Sequence, residues 1–291
     1  MSASVSVVLL TYNRRTEVLA TLRCLRRAIG ATPLIVVDNA SSDGTDAAVR
    51  QADPHCVLVR APRNLGAAGR NLGMCWVRTP YVAFSDDDTC WEAGALQRAV
   101  AILDAHPEVA VLNARILVGG AAALDPTCAR MAASPLPLIP GAGPQLTGFM
   151  AGACVMRAQA FRQAGGYWAP LFIGGEERLL ALDLLQAGWR IVYAPQVVTR
   201  HHPSPLRDSA LRRLLLARNA IWTAWLRLPV GAALRETWRE LRAAAGRERW
   251  AVAGAALGGW RLLAAGRRPV GVRVRRLLAT QATQQEDGPC R

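Results

Sequence analysis

The fold of this chain is decided by the segment YVAFSDDDT, which runs from Tyr81 to Thr89. Its first four residues form a continuous apolar run of the kind found in buried strands. The three carboxylates that follow repel one another by about 1 kcal/mol or more per close pair unless a cation lies among them. Hard divalent cations such as Mg²⁺ and Mn²⁺ take oxygen ligands and keep open positions for substrate phosphates. Because ligands bind at the carboxyl ends of strands in α/β sheets, the segment predicts either a metal site or a solvated acidic loop.

Three apolar runs precede this segment, and each is typical of a buried strand. The runs are Val5–Leu10, Leu34–Val37 and Val57–Arg60. Between the first two, apolar residues at helical spacing predict a helix that Thr16 caps and Gly30 ends. Strands that alternate with helices and are apolar almost throughout indicate a parallel sheet. Because polar motifs follow these strands, we expect the motifs to converge on one edge of the sheet.

The polar motifs suit a nucleotide. Asp38, after the second strand, can accept a hydrogen bond from a ribose hydroxyl or a base N–H. Asn64 and Arg70 flank a loop of small residues at a helix start. Such a loop either binds phosphate through its backbone N–H groups and the helix dipole, or is only a structural turn. It matches neither GxGxxG nor GxxxxGK[ST], which disfavours a nicotinamide dehydrogenase and a P-loop ATPase.

Four sequence blocks together resemble the family 2 glycosyltransferases. They are VVLLTYNR (residues 7–14), VVDNASSDGT (36–45), RNLGAAGRNLG (63–73) and FSDDDT (84–89). The blocks occur in the family's order and at family-like intervals, and the resemblance covers about residues 4 to 204. It implies an α/β, GT-A-like fold, with a mostly parallel nucleotide-binding sheet flanked by helices. It also implies an inverting, nucleotide-sugar-dependent enzyme with a metal-binding acidic motif.

The resemblance also implies roles for individual residues. The residues expected to bind the nucleotide sugar are Thr11, Tyr12, Asn13, Arg14, Asp38, Asn39, Asn64, Gly66, Arg70, Asp86 and Asp87. Of the three adjacent acids, Asp86 would contact the ribose or the donor sugar, and Asp88 would ligate Mn²⁺ or Mg²⁺ under the diphosphate. Asp87 is the middle residue of the D-x-D pattern and is more often a bystander.

A second acidic site, Glu176-Glu177, precedes a predicted helix. Two acids at a helix N-terminus are stabilised by the helix dipole, so the pair is explained by a helix cap alone. The family resemblance, however, implies an acidic pair here, usually Glu-Asp, whose second member is the general base. By position Glu177 takes that role, with Glu176 as the other candidate. The replacement of Asp by Glu changes the reach of the side chain.

Two histidines, His201 and His202, follow the next predicted strand. The family resemblance implies a diphosphate or metal contact at this place. A neutral imidazole is a suitable further ligand for Mn²⁺. The sequence does not distinguish which of the two histidines serves.

The C-terminal part of the chain is strongly basic. Of the net charge of +14, +11 lies between Leu206 and Arg291, a segment that contains 17 Arg and six acidic residues. A helix from Leu206 to Leu228 carries apolar residues on one side and is surrounded by Arg207, Arg212, Arg213 and Arg218. Two further helices, Leu234 to Ala245 and Trp250 to Ala265, are predicted to follow. These basic helices suit either peripheral contact with an anionic membrane or a helical cap whose arginines face solvent. Arg213 and Arg218 are also candidates for contacting the diphosphate.

Composition indicates a globular protein inside the cell. Seven cysteines are scattered without metal-binding spacing, and their odd number in apolar segments predicts reduced thiols. The N-terminus runs directly into a strand, so no signal peptide is expected. No uncharged apolar stretch reaches the roughly 20 residues of a membrane span. We therefore expect a cytoplasmic protein, or one held peripherally on the inner face of the cell membrane.

Residues 1–205 are expected to form the catalytic domain, with nucleotide binding in about 1–115 and acceptor binding and catalysis in about 116–205. Residues 206–291 are expected to form a helical appendage. The resemblance implies sugar transfer from a UDP-, dTDP- or GDP-linked donor to a saccharide or a lipid-linked saccharide, in the synthesis of cell-envelope polysaccharide or glycolipid.

Two other functions compete with this one. A nucleotidyltransferase that makes nucleotide sugars would need a Gly-rich loop with Arg and Lys after the first strand. That loop here reads Thr-Tyr-Asn-Arg, and the chain has no Lys. A basic module that binds membrane or nucleic acid without catalysis is compatible with the C-terminal charge. The first 205 residues carry only +3, however, and their acids cluster where a phosphate-backbone binder would avoid them, so no nucleic-acid partner is expected.

Overall fold

The first half of the sheet is parallel. The computed structural model of the protein describes residues 4–203 and 210–287. Its first four strands are β1 (Val5–Thr11), β2 (Leu34–Asp38), β3 (Val57–Arg60) and β4 (Tyr81–Asp86). They pair in the order β3-β2-β1-β4, and every pair is parallel, as the apolar runs predict.

Three helices connect these strands: α1 (Arg15–Ile29), α2 (Thr45–Ala52) and α3 (Gly69–Met74). Helix α1 ends at Gly30 as predicted, but Thr16 does not cap it. The helix begins one residue earlier, and the Arg15 N–H donates to Asp43 Oδ2 at 3.2 Å. The cap therefore comes from the loop after β2, which a local sequence pattern could not indicate.

The second half of the sheet is mixed. Its elements are β5 (Thr89–Trp91), α4 (Ala95–Ala105), β6 (Val109–Val118), β7 (Ala123–Leu124), α5 (Pro126–Ala132), β8 (Leu138–Ile139), β9 (Gly143–Leu146), β10 (Cys154–Arg157), α6 (Ala158–Gln163), α7 (Glu176–Gln186) and β11 (Arg190–His201). Strand β10 runs antiparallel to both β4 and β6, whereas β6 and β11 are parallel. Cys154, which begins β10, lies opposite Phe84 near the carboxyl end of β4. The chain therefore turns back just before β10, at the edge of the sheet where β4 ends, and β10 runs in the direction opposite to β4.

Three predicted elements differ from those observed. Apolar residues at helical spacing predict a helix from Trp91 to Asp104, but the helix begins only at Ala95, because Trp91 belongs to β5. The Gly, Ala and Pro content of residues 119–148 predicts an irregular crossover, but this stretch contains three short strands and α5. The sequence of residues 148–157 predicts a strand from Gly148, but the strand starts at Cys154, after a 3₁₀ turn at Ala151–Ala153.

Five helices follow the sheet: α8 (Ala210–Arg227), α9 (Val230–Ala243), α10 (Gly246–Leu257), α11 (Trp260–Gly266) and α12 (Val272–Asp287). The predicted helix start at Leu206, Arg207 and the boundary between 205 and 206 lie outside the described residues. The helix predicted over Trp250–Ala265 is two helices separated at Gly258-Gly259. The sequence patterns do not predict α12. None of the helices in the described ranges is long and apolar enough to span a membrane.

The C-terminal helices pack on the preceding part of the chain through a small apolar cluster. Trp222 and Leu226 of α8 are buried against Leu171 and Leu179, the latter on α7. Burying a side chain of this kind stabilises the fold by about 1.5–3 kcal/mol. At Gly259 a Cβ atom would lie 2.2 Å from the Trp222 ring, so this close approach requires glycine. Helix α8 is therefore held against α7 rather than attached by a loose tether.

The prediction that all cysteines are reduced is wrong for one pair. Cys24 of α1 and Cys90 of β5 form a disulfide across 66 residues of sequence. The two residues meet only because β5 follows the acidic loop and packs beside α1, a long-range contact that spacing does not reveal. The same helix also binds the acidic loop through Thr21, whose hydroxyl donates to the Asp87 backbone oxygen at 2.7 Å.

Candidate functional site

The polar ends of neighbouring strands meet at one cavity of about 450 Å³. In the parallel register Thr11 lies opposite Asp38, and Leu10 lies opposite Asp86, so β1, β2 and β4 end side by side. Eleven residues predicted from sequence line this cavity: Thr11, Tyr12, Arg14, Asn39, Asn64, Gly66, Arg70, Asp86, Asp87, Glu176 and Glu177. Five others are not among its lining residues: Asn13, Asp38, Asp88, His201 and His202.

Asp86 lies at the floor of the cavity and is paired with Arg70, whose guanidinium is buried. The same guanidinium lies 5.8 Å from the centre of the Tyr167 ring. At Gly152 a Cβ atom would lie 2.6 Å from Asp86 Oδ2, so a small residue leaves room for this carboxylate. This ion pair, whose guanidinium is buried and whose carboxylate is partly exposed, holds Asp86 in one place.

Asp87 is held by neighbours from the first strand and helix. Its Oδ2 accepts from the Thr11 hydroxyl at 3.0 Å, and its Oδ1 lies 3.8 Å from Arg14 Nη1. Burial, together with the adjacent charges of Asp86 and Asp88, raises the pKa of Asp87 to about 7, against the opposing effects of Arg14 and Thr11. Asp87 can therefore take up a proton near neutral pH.

Asp88 lies beside a histidine and an arginine. Strand β5 pairs with the end of β11 so that Thr89 lies opposite His201, which brings His201 Nε2 to 3.6 Å from Asp88 Oδ1. His202 contributes its backbone N–H to the Asp88 backbone oxygen at 2.8 Å, while its side chain is exposed. Of the two histidines, His201 is the one whose imidazole faces the acid.

The Asp88 carboxylate suits either Mn²⁺ or Mg²⁺, and the neighbouring His201 imidazole suits Mn²⁺. Arg14 Nη1 lies 3.8 Å from Asp88 Oδ2, so positive charge already offsets part of the acidic cluster. Among residues 4–203 and 210–287, no three His, Cys, Asp or Glu side chains are gathered closely enough to hold a metal by themselves. A cation held by Asp88 and His201 would therefore take its other ligands from water or from substrate phosphates.

Of the two interpretations of the small-residue loop, the structure supports the structural turn. The N–H groups of Leu65 and Gly66 donate to the Asn39 and Asn64 side chains at 3.0 and 2.9 Å. The Ala67 N–H donates to the Phe172 backbone oxygen at 2.6 Å. Because these amides are already bonded within the protein, the loop positions Arg70 and the Phe172 segment instead. A Cβ at Gly66 would lie 2.0 Å from the Phe172 oxygen, which explains the glycine.

Asp38 and Asn13 hold the loop between β2 and α2 in place. Asp38 is fully buried, and its carboxylate accepts from the Ser41 N–H at 3.2 Å. Asn13 Oδ1 accepts from the Ser42 N–H at 2.8 Å. Their predicted contacts with a nucleotide stay predictions. Tyr12, by contrast, is 43% exposed at the mouth of the cavity, where its ring presents a flat surface.

The Glu176-Glu177 pair lies across the cavity from the acidic loop, in the first turn of α7. Burial and the charge of Glu177 raise the pKa of Glu176 to about 8. Burial also raises the pKa of Glu177, although its own backbone N–H, Arg70 and a hydrogen bond from Glu176 oppose the rise. The two carboxyl groups interact directly, so they titrate as a pair whose pKa values are raised by burial, and a proton taken up near neutral pH is shared between them.

The loop before α7 is fixed by a residue that the sequence analysis missed. Asn219 of α8 is fully buried, and its Nδ2 lies 2.7, 2.9 and 2.6 Å from the backbone oxygens of Leu171, Ile173 and Gly174. Phe172, Gly174 and Gly175 all have positive φ angles, so the loop is tightly bent. An amide on the apolar side of a predicted amphipathic helix was the signal available in the sequence.

The arginine of α8 that lines the cavity is Arg212, not Arg213 or Arg218. Arg213 lies 3.7 Å from Glu248, on the other side of the helix. Arg218 donates to the backbone oxygens of Pro170 and Leu171 at 3.1 Å and stacks on Trp222, 4.2 Å from the ring centre. The two residues named from sequence as diphosphate contacts are therefore used within the C-terminal helices and the loop before α7.

Comparisons with known proteins agree with this architecture. Residues 6–165 match the family model described as glycosyl transferase family 2. The chain is 31% identical over 215 residues, 68% of its length, to the pre-mycofactocin glycosyltransferase of Mycobacterium tuberculosis. It is 28% identical over 208 residues, 58% of its length, to that organism's N-acetylglucosaminyl-diphospho-decaprenol L-rhamnosyltransferase. The chain spans 44% and 66% of the lengths of these two relatives.

Solved structures share the fold. The mannosyltransferase PcManGT from Pyrobaculum calidifontis, in complex with GDP-Man and Mn²⁺, has a TM-score of 0.61 and 21% identity and covers 98% of this chain and 81% of its own. TarS residues 1–349 of S. aureus, in complex with UDP, has a TM-score of 0.58 and 15% identity. The match covers 99% of this chain and 93% of the TarS chain. At these identities the likeness extends to the GT-A fold alone.

Proposed function

The chain belongs to glycosyl transferase family 2, and from that premise we propose that it transfers a sugar from a nucleotide-diphosphate sugar to an acceptor hydroxyl, with inversion at the anomeric carbon. One observation carries the proposal: a single cavity brings the Asp86-Asp87-Asp88 loop and the Glu176-Glu177 pair together. The acceptor is a saccharide or a lipid-linked saccharide, and the product belongs to envelope polysaccharide or glycolipid synthesis. The donor is UDP-, dTDP- or GDP-linked, and the solved neighbours with GDP-Man or UDP support the GDP- and UDP-linked classes.

Different residues of the cavity bind different parts of the donor. Tyr12 stacks against the base at the mouth of the cavity, and Asn39 and Asn64 shape its wall. Asp86, fixed by Arg70, accepts from a hydroxyl of the ribose or of the donor sugar. Arg212 on α8 faces the diphosphate from the opposite side. The C-terminal helices thus contribute to the same donor-binding site as residues 1–205.

Asp88 and His201 would hold a divalent metal, Mn²⁺ or Mg²⁺, with His202 as the alternative histidine. When bound, such an ion neutralises the diphosphate and stabilises the leaving group. The neighbour structures that contain Mn²⁺ support a divalent cation. Arg14, 3.8 Å from both Asp87 and Asp88, lends further positive charge to this corner.

Glu177 acts as the general base. It takes the proton from the acceptor hydroxyl while the acceptor oxygen attacks the anomeric carbon on the face opposite the leaving group. One in-line displacement of this kind inverts the configuration. Glu176 stays protonated and donates to Glu177, so it keeps the base ionised and orients it.

We also propose peripheral contact between the C-terminal helices and the inner face of the cell membrane. Trp238, Trp250 and Trp260 are 60–78% exposed. Arg242 and Arg261 lie 5.1 and 5.5 Å from the first and last of these rings. Exposed Trp beside Arg suits the boundary between headgroups and acyl chains of an anionic bilayer.

The test of the proposed function is donor binding and donor turnover by the full chain. With Mn²⁺ present, one class among UDP-, dTDP- and GDP-sugars is expected to raise the melting temperature, and EDTA is expected to abolish both this shift and sugar transfer. Addition of Mn²⁺ or Mg²⁺ should restore both. Release of pyrophosphate from a nucleoside triphosphate, with no shift from any nucleotide sugar, would contradict sugar transfer.

The Asn219 contacts predict a positioning role. Replacing Asn219 with alanine removes the hydrogen bonds that fix the loop before Glu176 and is expected to lower kcat by about 100-fold, because small displacements of a catalytic group cost that much. The KM for the donor should change little. The measurement is steady-state kinetics beside the melting temperature.

The matched control is Thr223→Val, one turn along α8. Thr223 is equally buried, and its hydroxyl has no hydrogen-bond partner among residues 4–203 and 210–287, so the isosteric change should be nearly neutral. If Asn219→Ala lowers the melting temperature but leaves kcat unchanged, Asn219 is structural only.

A further inference from the structure

The disulfide between Cys24 and Cys90 ties helix α1 to the strand that follows the acidic loop. Cys90 comes two residues after Asp88 and belongs to β5, a strand of only three residues. Strand β5 also pairs with the end of β11, where Thr89 lies opposite His201. The disulfide therefore acts on the strand that brings the Asp88 carboxylate and the His201 imidazole together.

A second contact joins the same helix to the acidic loop one turn earlier. Thr21 precedes Cys24 by three residues, and its buried hydroxyl donates to the Asp87 backbone oxygen at 2.7 Å. Asp87 likewise precedes Cys90 by three residues. The hydrogen bond and the disulfide are thus adjacent links between α1 and the acidic loop. Breaking the disulfide removes the covalent link and leaves the loop held to α1 by this hydrogen bond and by apolar packing.

The apolar packing keeps β5 in place whatever the state of the disulfide. Trp91 of β5 is buried, and it belongs to the same apolar cluster as Leu22 and Leu25 of α1. Burial of such large side chains does not depend on a bond between the two sulfur atoms. Reduction is therefore expected to loosen the acidic loop without removing β5 from the core.

The disulfide lies where a reductant can reach it. Both cysteines line a cavity of about 440 Å³, and Arg23 and Arg27 of α1 line the same cavity. Cys24 is partly exposed and Cys90 is buried, so a reductant meets the Cys24 sulfur first. The attacking form of a thiol is the thiolate anion, and the positive charge of the two arginines favours its approach. Disulfides in a reducing compartment, which is the setting proposed for this chain, are usually transient, catalytic or redox-sensing.

We propose that the Cys24–Cys90 disulfide is a redox-sensitive clamp on the acidic loop, which holds Asp88 in its metal-binding position and releases it when a dithiol reduces the disulfide. The inference rests on the proposed function, because that function assigns the metal to Asp88. One sulfur of the dithiol attacks Cys24 Sγ and breaks its bond to Cys90 Sγ, and the second sulfur then displaces Cys24 from the mixed disulfide. The dithiol gives up two electrons and two protons and becomes a disulfide, while Cys24 and Cys90 become two thiols.

The experiment compares the oxidised full chain with the same protein after reduction by dithiothreitol and anaerobic desalting. Reduction should add two reactive thiols per chain. Hydrogen exchange without metal should become faster in residues 84–92 and stay unchanged in β2. The Kd for Mn²⁺ should rise by about tenfold, because groups that orient metal ligands from outside contribute about 10- to 100-fold to affinity. Reoxidation should restore the original Kd.

Two variants separate the disulfide from other effects of the reductant. Cys24→Ala cannot form the clamp, so it should bind Mn²⁺ as weakly as the reduced wild type, with or without dithiothreitol. Cys56→Ala/Cys75→Ala is the matched control, since it removes two free cysteines, leaves the disulfide intact and should keep the full response to reduction. A melting temperature well above the assay temperature shows that each variant is folded.

The proposal is overturned if reduction adds no thiols, if it leaves hydrogen exchange in residues 84–92 unchanged, or if it leaves a measurable Kd for Mn²⁺ unchanged. Binding of Mn²⁺ by neither form would instead contradict the metal role given under the proposed function. The exchange measurement, which is made without metal, would then still decide whether the disulfide restrains the acidic loop.

Discussion

Replacing Asp88 with alanine is expected to lower sugar transfer by about a thousandfold, which corresponds to about 4 kcal/mol of transition-state stabilisation. Asp88 is the acid of the loop that lies beside the His201 imidazole, so it is the one placed to hold a cation against the donor diphosphate. Its removal leaves the leaving group's developing charge without the stabilisation that a bound metal supplies. The measurement is kcat/KM with the true donor and acceptor at saturating Mn²⁺.

Asp87→Asn is the matched control in the same loop. Asp87 has a pKa raised to about 7 and accepts from Thr11, so an amide preserves most of its contacts and should cost less than about tenfold. Nucleotide binding offers a second measurement: Mn²⁺ should tighten it in the wild type and in Asp87→Asn but not in Asp88→Ala. Full transfer by Asp88→Ala would refute the metal role of this residue.

Much of the sheet and of the site's location follows from local sequence. Apolar runs before Asp38 and Asp86 predict buried parallel strands, and strands of that kind end at a common edge. The observed register confirms that the strands end together, since Thr11 lies opposite Asp38 and Leu10 lies opposite Asp86. Nine of the eleven predicted residues that line the cavity lie at or after the ends of β1 to β4, where this rule places them, whereas Glu176 and Glu177 were identified through the family resemblance.

What the sequence could not predict depends on contacts between distant segments. The Cys24–Cys90 disulfide, the Asp43 cap of α1 and the Phe172 bond to Ala67 each join segments that are far apart in the chain. The loop of small residues looks like a phosphate site locally, but its amides are bonded elsewhere. Asn219 could not be predicted for the same reason, because the three backbone carbonyl groups that its side chain contacts lie more than 40 residues away in the sequence.

Changing each of the two glutamates of α7 to glutamine should have effects of very different size on kcat. Glu177→Gln removes the proposed base and is expected to lower kcat by about 10²- to 10⁴-fold. Glu176→Gln should cost less than about tenfold, because a pKa raised to about 8 keeps Glu176 protonated at neutral pH and glutamine imitates that form. The two changes are matched in size and charge and lie one residue apart. The opposite ranking of the two variants would make Glu176 the base.

The pH profiles of the same variants test the shared proton. In the wild type, kcat/KM should fall with decreasing pH as Glu177 becomes protonated, at a pH above the ordinary glutamate range because burial raises its pKa. It should fall again above about pH 8, where Glu176 ionises and adds a second negative charge beside the anionic donor. Glu176→Gln has no such group to ionise, so it should keep the acidic limb and lose the alkaline one. An alkaline limb that persists unchanged in Glu176→Gln would assign that ionisation to another group and remove the argument for a proton held between the two glutamates.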